Sequence, residues 1–291
     1  MRHSKQIITL TFTLLLITLI PVQTYGSYIE DMQVHFIDVG QGDSMLIQTP
    51  SDKTILIDGG PPESGEKVAS YLKEHQIESI DLLVATHPDM DHIGGLPHVM
   101  QEIQVKNILD SGKLHSTRTY AAYLYEIRKQ NIPVQIAMKN EEIRLDPEIK
   151  ILVLNTYGAT KTNNQSSIAL KITYKEVDFL LMSDIEMEQE KELIEEHDVE
   201  AEIIKVAHHG SNTSTSLPLL QAVNPEIALL TYSQENVFGH PVDRVIDNLD
   251  KINTTIYSTA AFGDVVIKTD GKNYVVLPNE NPLHRMKKTA S

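Results

Sequence analysis

His87-Pro88-Asp89-Met90-Asp91-His92 puts four potential metal ligands, His87, Asp89, Asp91 and His92, within six positions. Residues two apart do not share a helix face, and Pro88 disfavours a helical interior. The run therefore reads as a loop or extended segment in which residues 87, 89 and 91 converge while His92 turns to a second centre. It follows Leu82-Leu83-Val84-Ala85, a buried strand that delivers Thr86 and His87 to a strand's C-terminal edge, where open sheets place their ligands. Imidazole with carboxylate suits Zn, Mn or Fe, whereas an all-oxygen set suits Mg or Ca. Two ions roughly 3.5–4 Å apart can share a hydroxide nucleophile and hold a substrate oxygen.

Two further strand ends carry ligand types. Phe179-Leu180-Leu181-Met182 leads to Asp184, and Ile203-Ile204-Lys205-Val206-Ala207 leads to His208-His209-Gly210-Ser211. Asp184 can bridge two metals; alone it reads equally as an N-cap for a helix from Ile185. Adjacent histidines do not usually face one point, so one of His208 and His209 is expected as a ligand and the other as a supporting or substrate-contacting group. The glycine-rich stretch Asp38–Asp43, the triplet Asp58-Gly59-Gly60 and the polar run Asn163–Ser167 are turns when taken singly, and none is a phosphate loop of the Lys-Ser/Thr type. Gly239-His240-Pro241 can open a helix with a histidine that reaches substrate.

Around these positions the chain alternates short strands with helices. Strands are expected at 33–37, 44–48, 54–57, 80–85, 105–109, 132–137, 149–154, 168–174, 177–182, 203–207, 227–231, 254–257, 265–268 and 274–277. Helices are expected at 65–75, 93–100, 119–130, 186–197, 217–223 and 241–249. Tyr120, Tyr123, Leu124 and Ile127 form a packing stripe on the third of these. The two halves have a coarse likeness, each running from strands through a helix to a strand ending in histidine. That order supports an α/β sandwich of two mixed sheets with helices outside.

Residues 1–26 are set apart. A basic start (Arg2, His3, Lys5), an uncharged run from Ile7 to Ile20 and a short polar exit have the layout of a secretory signal peptide; an uncleaved anchor on the outer face of the membrane is the alternative. The expected product is secreted or extracellular, with one domain over 27–280 and a disordered polar tail at 281–291. Nothing after Tyr28 is long and apolar enough to cross a membrane. With no Cys in the chain, lipid anchoring on cysteine and Cys-type zinc sites are excluded. The net charge is −15, and −17 once the two basic residues of segment 1–26 are set aside. Such a surface repels duplex nucleic acid, so no stable duplex-binding face is expected, although bound cations invert the field locally.

Together, FIDVGQGDSMLI at 36–47, ILIDGG at 55–60, ATHPDMDHIGG at 85–95, NNQSSIAL at 163–170, LLMSD at 180–184, KVAHHGS at 205–211 and FGHP at 238–241 resemble the metallo-β-lactamase fold. The resemblance is closer still to the soluble hydrolase domain of the ComEC/Rec2 competence proteins, and its motifs span most of residues 32–277. It implies an αββα four-layer sandwich with two divalent ions, Mn or Zn, at the shared edge of the sheets. His87 and Asp89 then belong to one centre and Asp91, His92 and His208 to the other, with Asp184 bridging. Asp89 stands where the broader fold has His, and Asn164 and Ser166 stand where it has another His ligand. That departure argues against β-lactamase activity and weakens the first centre. The implied chemistry is hydrolysis by metal-bound hydroxide, with Asp91 orienting or deprotonating the nucleophile and His240 or His209 stabilising charge on a phosphoryl oxygen. Asp43, Asp58, Asn164, Ser166 and Ser211 are expected to touch substrate or support the ligands. The expected substrate is a phosphodiester, in extracellular DNA or an envelope polymer; a DNA-uptake role is not implied. A small ester, lactone or amide is the alternative substrate, and a non-catalytic metal-binding scaffold the alternative class.

Overall fold

The computed structural model of the protein describes residues 31–282. The expected signal segment 1–26 and nearly all of the expected tail lie outside the described residues.

The chain opens with an antiparallel meander, β1 (Met32–Phe36), β2 (Met45–Gln48) and β3 (Thr54–Ile57). It continues through α1 (Gly65–Glu74), β4 (Ser79–Ile80), β5 (Leu82–Ala85), α2 (Met90–Ile93), α3 (Leu96–Glu102), β6 (Gln104–Val105), β7 (Ile108–Asp110), α4 (Arg118–Gln130) and β8 (Val134–Ile136). Here β3, β5, β7 and β8 lie parallel, as helical crossovers require. The second half repeats the plan. β9 (Glu142–Ile143), β10 (Ile149–Asn155), β11 (Ala169–Tyr174) and β12 (Val177–Leu181) are antiparallel. Then α5 (Met187–Glu196), β13 (Ile203–Lys205), α6 (Leu217–Val223), β14 (Ile227–Leu230), α7 (Asp243–Lys251) and β15 (Thr255–Ser258) continue it with parallel strands. After α8 (Thr259–Phe262), β16 (Val265–Thr269) and β17 (Tyr274–Pro278) return to the first sheet.

The result is an eight-stranded sheet, β17-β16-β1-β2-β3-β5-β7-β8, against a seven-stranded sheet, β15-β14-β13-β12-β11-β10-β9. Alternate side chains of each strand point to opposite faces. Val34, Phe36, Ile55, Val84, Ile151, Ile172, Phe179 and Leu229 fill the space between the sheets. Leu46, Leu56 and Leu83 pack outward against Val68, Leu72, Val99 and Tyr123 of the helices. Leu180, Ile204 and Ala228 pack outward against Leu193, Leu220 and Leu249. These are the four layers of an αββα sandwich.

Three expectations change. The single helix expected at 93–100 is divided into α2 and α3 at Gly94-Gly95, where the backbone meets the loop after β3: Gly95 N donates to Gly60 O, and a Cβ on Gly95 would lie 2.1 Å from Gly59 O. Leu124 faces solvent, 42% exposed, while Tyr120, Tyr123 and Ile127 pack inward. Asp184 caps no helix, because α5 begins at Met187 with Glu186 in the cap position.

Candidate metal centre

The parallel strands β5, β12 and β13 end at the same edge of the sandwich and discharge Thr86-His87, Ser183-Asp184 and His208-His209 into one space. Asp184 is its hub. Oδ1 lies 3.3 Å from His92 Nε2, and Oδ2 lies 3.9 Å from His87 Nε2, 3.6 Å from His208 Nε2 and 3.8 Å from His209 Nε2. Asp89 Oδ2 is 3.6 Å from His87 Nε2, and Asp91 Oδ2 is 3.4 Å from His209 Nε2. His87, His92 and Asp184 form one compact donor group; Asp91, His92 and His209 form another. The Nε2 atoms of His87, His92 and His209 and Oδ1 of Asp184 are buried with no hydrogen-bond partner. Buried polar atoms are rarely left so, and a set of imidazole and carboxylate donors fits a divalent transition metal.

The imidazoles are aimed from behind. Asp58 accepts hydrogen bonds from Thr86 N (2.9 Å), Thr86 Oγ1 (2.7 Å) and His92 Nδ1 (2.8 Å). His209 Nδ1 donates to Thr231 O at 2.8 Å. Each bond commits Nδ1 as donor and turns Nε2 inward, the arrangement that orients histidine ligands. Ser183 Oγ donates to Thr86 Oγ1 at 2.9 Å, tying the two sheets together behind the site.

Electrostatics give the same picture. Burial disfavours charge on His92, but Asp184 and Asp58 outweigh it and hold the imidazole well above its ordinary value. His209 is likewise raised against burial, by Asp184 and Asp43. Burial opposes ionisation of Asp184, yet His92 and His209 hold it well below the usual carboxylate range. Asp91 is lowered against burial by the neighbouring imidazoles of His209 and His92. The carboxylates demand nearby positive charge, and a cation can supply it in place of the protons.

The resemblance grouped His208 with Asp91 and His92; the structure puts His209 there. His208 Nε2 takes a contact from Asn164 Nδ2 at 3.3 Å, and its Nδ1 pairs with Thr213 Oγ1 at 3.1 Å. Burial, only partly opposed by Asp184, pushes its pKa down. His240 lies at the mouth, its ring 5.7 Å from that of His208 and stacked on exposed Phe238. Burial and the neighbouring His208 and His209 lower it as well. Asp43 and Asp58 are fully buried and face the imidazoles from behind, whereas Ser166 is buried with no hydrogen-bond partner for its hydroxyl. Ser211 is buried beside Thr213, with the two hydroxyls 3.2 Å apart.

Sequence reasoning missed several neighbours. Asn163 Nδ2 donates to Asp89 Oδ1 at 2.6 Å, and His115 Nε2 approaches the same oxygen at 3.8 Å. The strand-end rule applied to β7 points to the loop that carries His115. Lys205, alone among apolar residues in β13, is fully buried against Asp43; a lysine inside an apolar strand is itself the signal.

The model of the metallo-β-lactamase superfamily matches residues 37–233. ComE operon protein 3 of Bacillus subtilis is 27% identical over 252 residues, which are 80% of this chain and 32% of that protein. Recombination protein 2 of Haemophilus influenzae is 28% identical over 273 residues, 91% of this chain and 31% of that protein. The chain thus spans about a third of the length of these relatives. Among solved structures, the metallo-β-lactamase fold protein YhfI of Bacillus subtilis aligns with a TM-score of 0.54 at 15% identity, over 82% of this chain and 100% of that one. Igni18 of Ignicoccus hospitalis, titled a metallo hydrolase, aligns with a TM-score of 0.52 at 14% identity, over 85% and 100%. With the two-sheet architecture, the donor groups at its edge and a family match over most of the chain, the protein belongs to the metallo-β-lactamase superfamily.

Proposed function

We propose that the protein is an exported, metal-dependent phosphodiesterase that works with two divalent ions, Mn or Zn. The observation that carries this reading is the convergence of three buried, unpartnered imidazole nitrogens on the Asp184 carboxylate. His87 and Asp89 would hold one ion and Asp91, His92 and His209 the other, with the Asp184 carboxylate within reach of both sets. Once bound, the ions supply Lewis acidity and a water activated at neutral pH. The Asp91 carboxylate, one-third exposed, is the group that would orient an attacking water and accept its proton. The neutral imidazole of His240 and the Asn164 amide stand beside the site, where they can hydrogen-bond developing charge on a phosphoryl oxygen. The first set has only one nitrogen donor, which shifts its preference toward Mn.

A phosphodiester is favoured because a pair of adjacent ions, once bound, would match the two oxygens of an in-line displacement. One relative is named for recombination and another for the ComE operon, in keeping with DNA as substrate; an envelope phosphodiester polymer has the same chemistry. The signal-like layout of residues 1–26 supports export.

The test is hydrolysis of bis-p-nitrophenyl phosphate by metal-stripped protein with Mn, Zn or Mg added back, beside Asp91→Ala. Metal-dependent turnover that disappears in the variant supports the proposal. A folded, metal-loaded protein that leaves the diester intact shifts the assignment to esters, lactones or amides, or to a binding role.

A further inference from the structure

The double histidine stands on an unusual backbone. His208 (φ 50°, ψ 46°) and His209 (φ 55°, ψ 20°) are both left-handed, and Gly210 follows at φ 82°. Glycine adopts this conformation freely, but two consecutive side chains with a Cβ carry a steric cost, so the surroundings must hold them. Among the bonds that act on the histidines themselves, His208 N donates to Ser183 O, Ser211 N donates to His208 O, and His209 Nδ1 donates to Thr231 O.

The segment that follows is gathered on one guanidinium. Arg244, on α7, donates to Ser211 O (3.3 Å), Asn212 O (3.2 Å), Asn212 Oδ1 (3.1 Å), Ser214 O and Thr215 O (3.0 Å). Five acceptors from four residues thus point at one planar fork, whose rigid set of donors an ammonium cannot reproduce. From the other side the Glu190 carboxylate of α5 accepts from Thr215 N and Ser216 N, and Met187 N donates to Thr213 O. Thr213 is also the partner of His208 Nδ1. The loop from 211 to 216 is therefore clamped between two helices, with Arg244 as the larger contributor on one side.

We propose that Arg244 is a positioning residue for the metal centre: by collecting the carbonyls of Ser211, Asn212, Ser214 and Thr215 it holds His208 and His209 in their left-handed conformation and so aims His209 Nε2 at Asp91 and Asp184. It touches neither substrate nor ion. The inference rests on the reading of His209 as a ligand. It is independent of which bond the enzyme hydrolyses, because its test reads metal binding.

The experiment is a Mn titration of metal-free protein, followed by isothermal calorimetry and by electron paramagnetic resonance of the bound ion. Wild type, Arg244→Ala, Arg244→Lys, Asn248→Ala and His209→Ala are compared, with melting curves for each. Asn248→Ala removes a single bond to Thr215 O from the same helix. His209→Ala marks the binding step that depends on that imidazole. In Arg244→Ala this step is expected to weaken at least tenfold, the remaining step to change less than threefold, and methylguanidinium to restore part of the loss. Arg244→Lys is expected to stay closer to Ala than to wild type, and Asn248→Ala close to wild type. A folded Arg244→Ala that binds Mn like wild type overturns the proposal, as does a lowered melting temperature with unchanged affinity. Full rescue by lysine overturns the fork argument. If the Ala variant does not fold, the lysine variant decides by the same criterion. A wild type whose titration is unaffected by His209→Ala overturns the ligand assignment and the proposal with it.

Discussion

Lys205 Nζ lies 2.5 Å from Asp43 Oδ2, and both side chains are completely shielded from solvent. The pair joins a loop of the first sheet to a strand of the second, directly behind the candidate metal centre. Thr231 Oγ1 donates to the other Asp43 oxygen, and His209 Nδ1 lies 3.5 Å from it. Burial opposes the charge on Asp43, but Lys205 and then His209 and His92 keep its pKa low.

Removing one member of this pair leaves a buried charge without compensation. Lys205→Met is expected to lower the unfolding free energy by about 3–5 kcal/mol, read from denaturant titration. The double variant Lys205→Met/Asp43→Asn should recover a substantial part, because no charge is then stranded. A loss below about 1 kcal/mol in the single variant would show that the pair is not held charged.

The Asp58 carboxylate meets no solvent and only accepts hydrogen bonds. Asp58→Asn replaces one acceptor oxygen by a donor facing Thr86 and His92 Nδ1. The His92 tautomer is then no longer enforced, and metal affinity should fall roughly 10–100-fold with the fold retained. Competition against a chromogenic chelator measures this; unchanged affinity would mean that Asp58 does not orient His92.

Gly42 connects the first motif to the site. Its φ is +144°, and a Cβ there would lie 2.3 Å from Asp91 O, to which Asp43 N donates at 3.1 Å. Gly42→Ala is expected to displace Asp91, costing roughly 1–3 kcal/mol of stability and at least a tenfold drop in metal-dependent turnover. Gly40→Ala is the control: it also sits at positive φ, but a Cβ there meets nothing within 4 Å, so it should strain the backbone without moving Asp91. Equal turnover in the two variants would contradict the close approach.

His35 is far in sequence from the metal motifs, buried on β1 and hydrogen-bonded through Nδ1 to the Tyr71 hydroxyl at 2.9 Å. Burial, with a smaller contribution from His75, lowers its pKa from 6.5 to about 3. The folded protein thus binds this proton less readily than the unfolded chain. The resulting stabilisation is fully present above pH 6.5 and is lost as pH falls toward 3. Its size is on the order of several kcal/mol. Denaturant unfolding at pH 7, 5.5 and 4 should show a shallower acid slope in His35→Asn than in wild type. Parallel slopes would rule out a neutral buried imidazole.

Much of the candidate site was legible along the chain because the side chains that could hold a metal follow apolar strands. Leu82–Ala85, Phe179–Met182 and Ile203–Ala207 announce buried strands by composition alone, and the residues just beyond them are His87, Asp184 and the histidine pair. Strand-to-helix order also set the α/β class, since parallel neighbours need crossovers. What the sequence determined by itself was therefore the chemistry available, imidazole and carboxylate without thiol, and the strand ends from which it is presented.

Tertiary structure decided which groups meet. His208 and His209 are identical in type and adjacent, so no local pattern separates them; the left-handed backbone and the Thr231 carbonyl turn His209 inward, while Asn164 and Thr213 engage His208. Asp43 and Asp58 each sit in a glycine-rich turn, yet one neutralises a buried lysine and the other orients an imidazole. These roles depend on pairings between residues as far as 162 positions apart in the chain. Only the packing of one sheet against the other brings such groups within hydrogen-bonding range, because burial and direction, not residue type, determine what a carboxylate does.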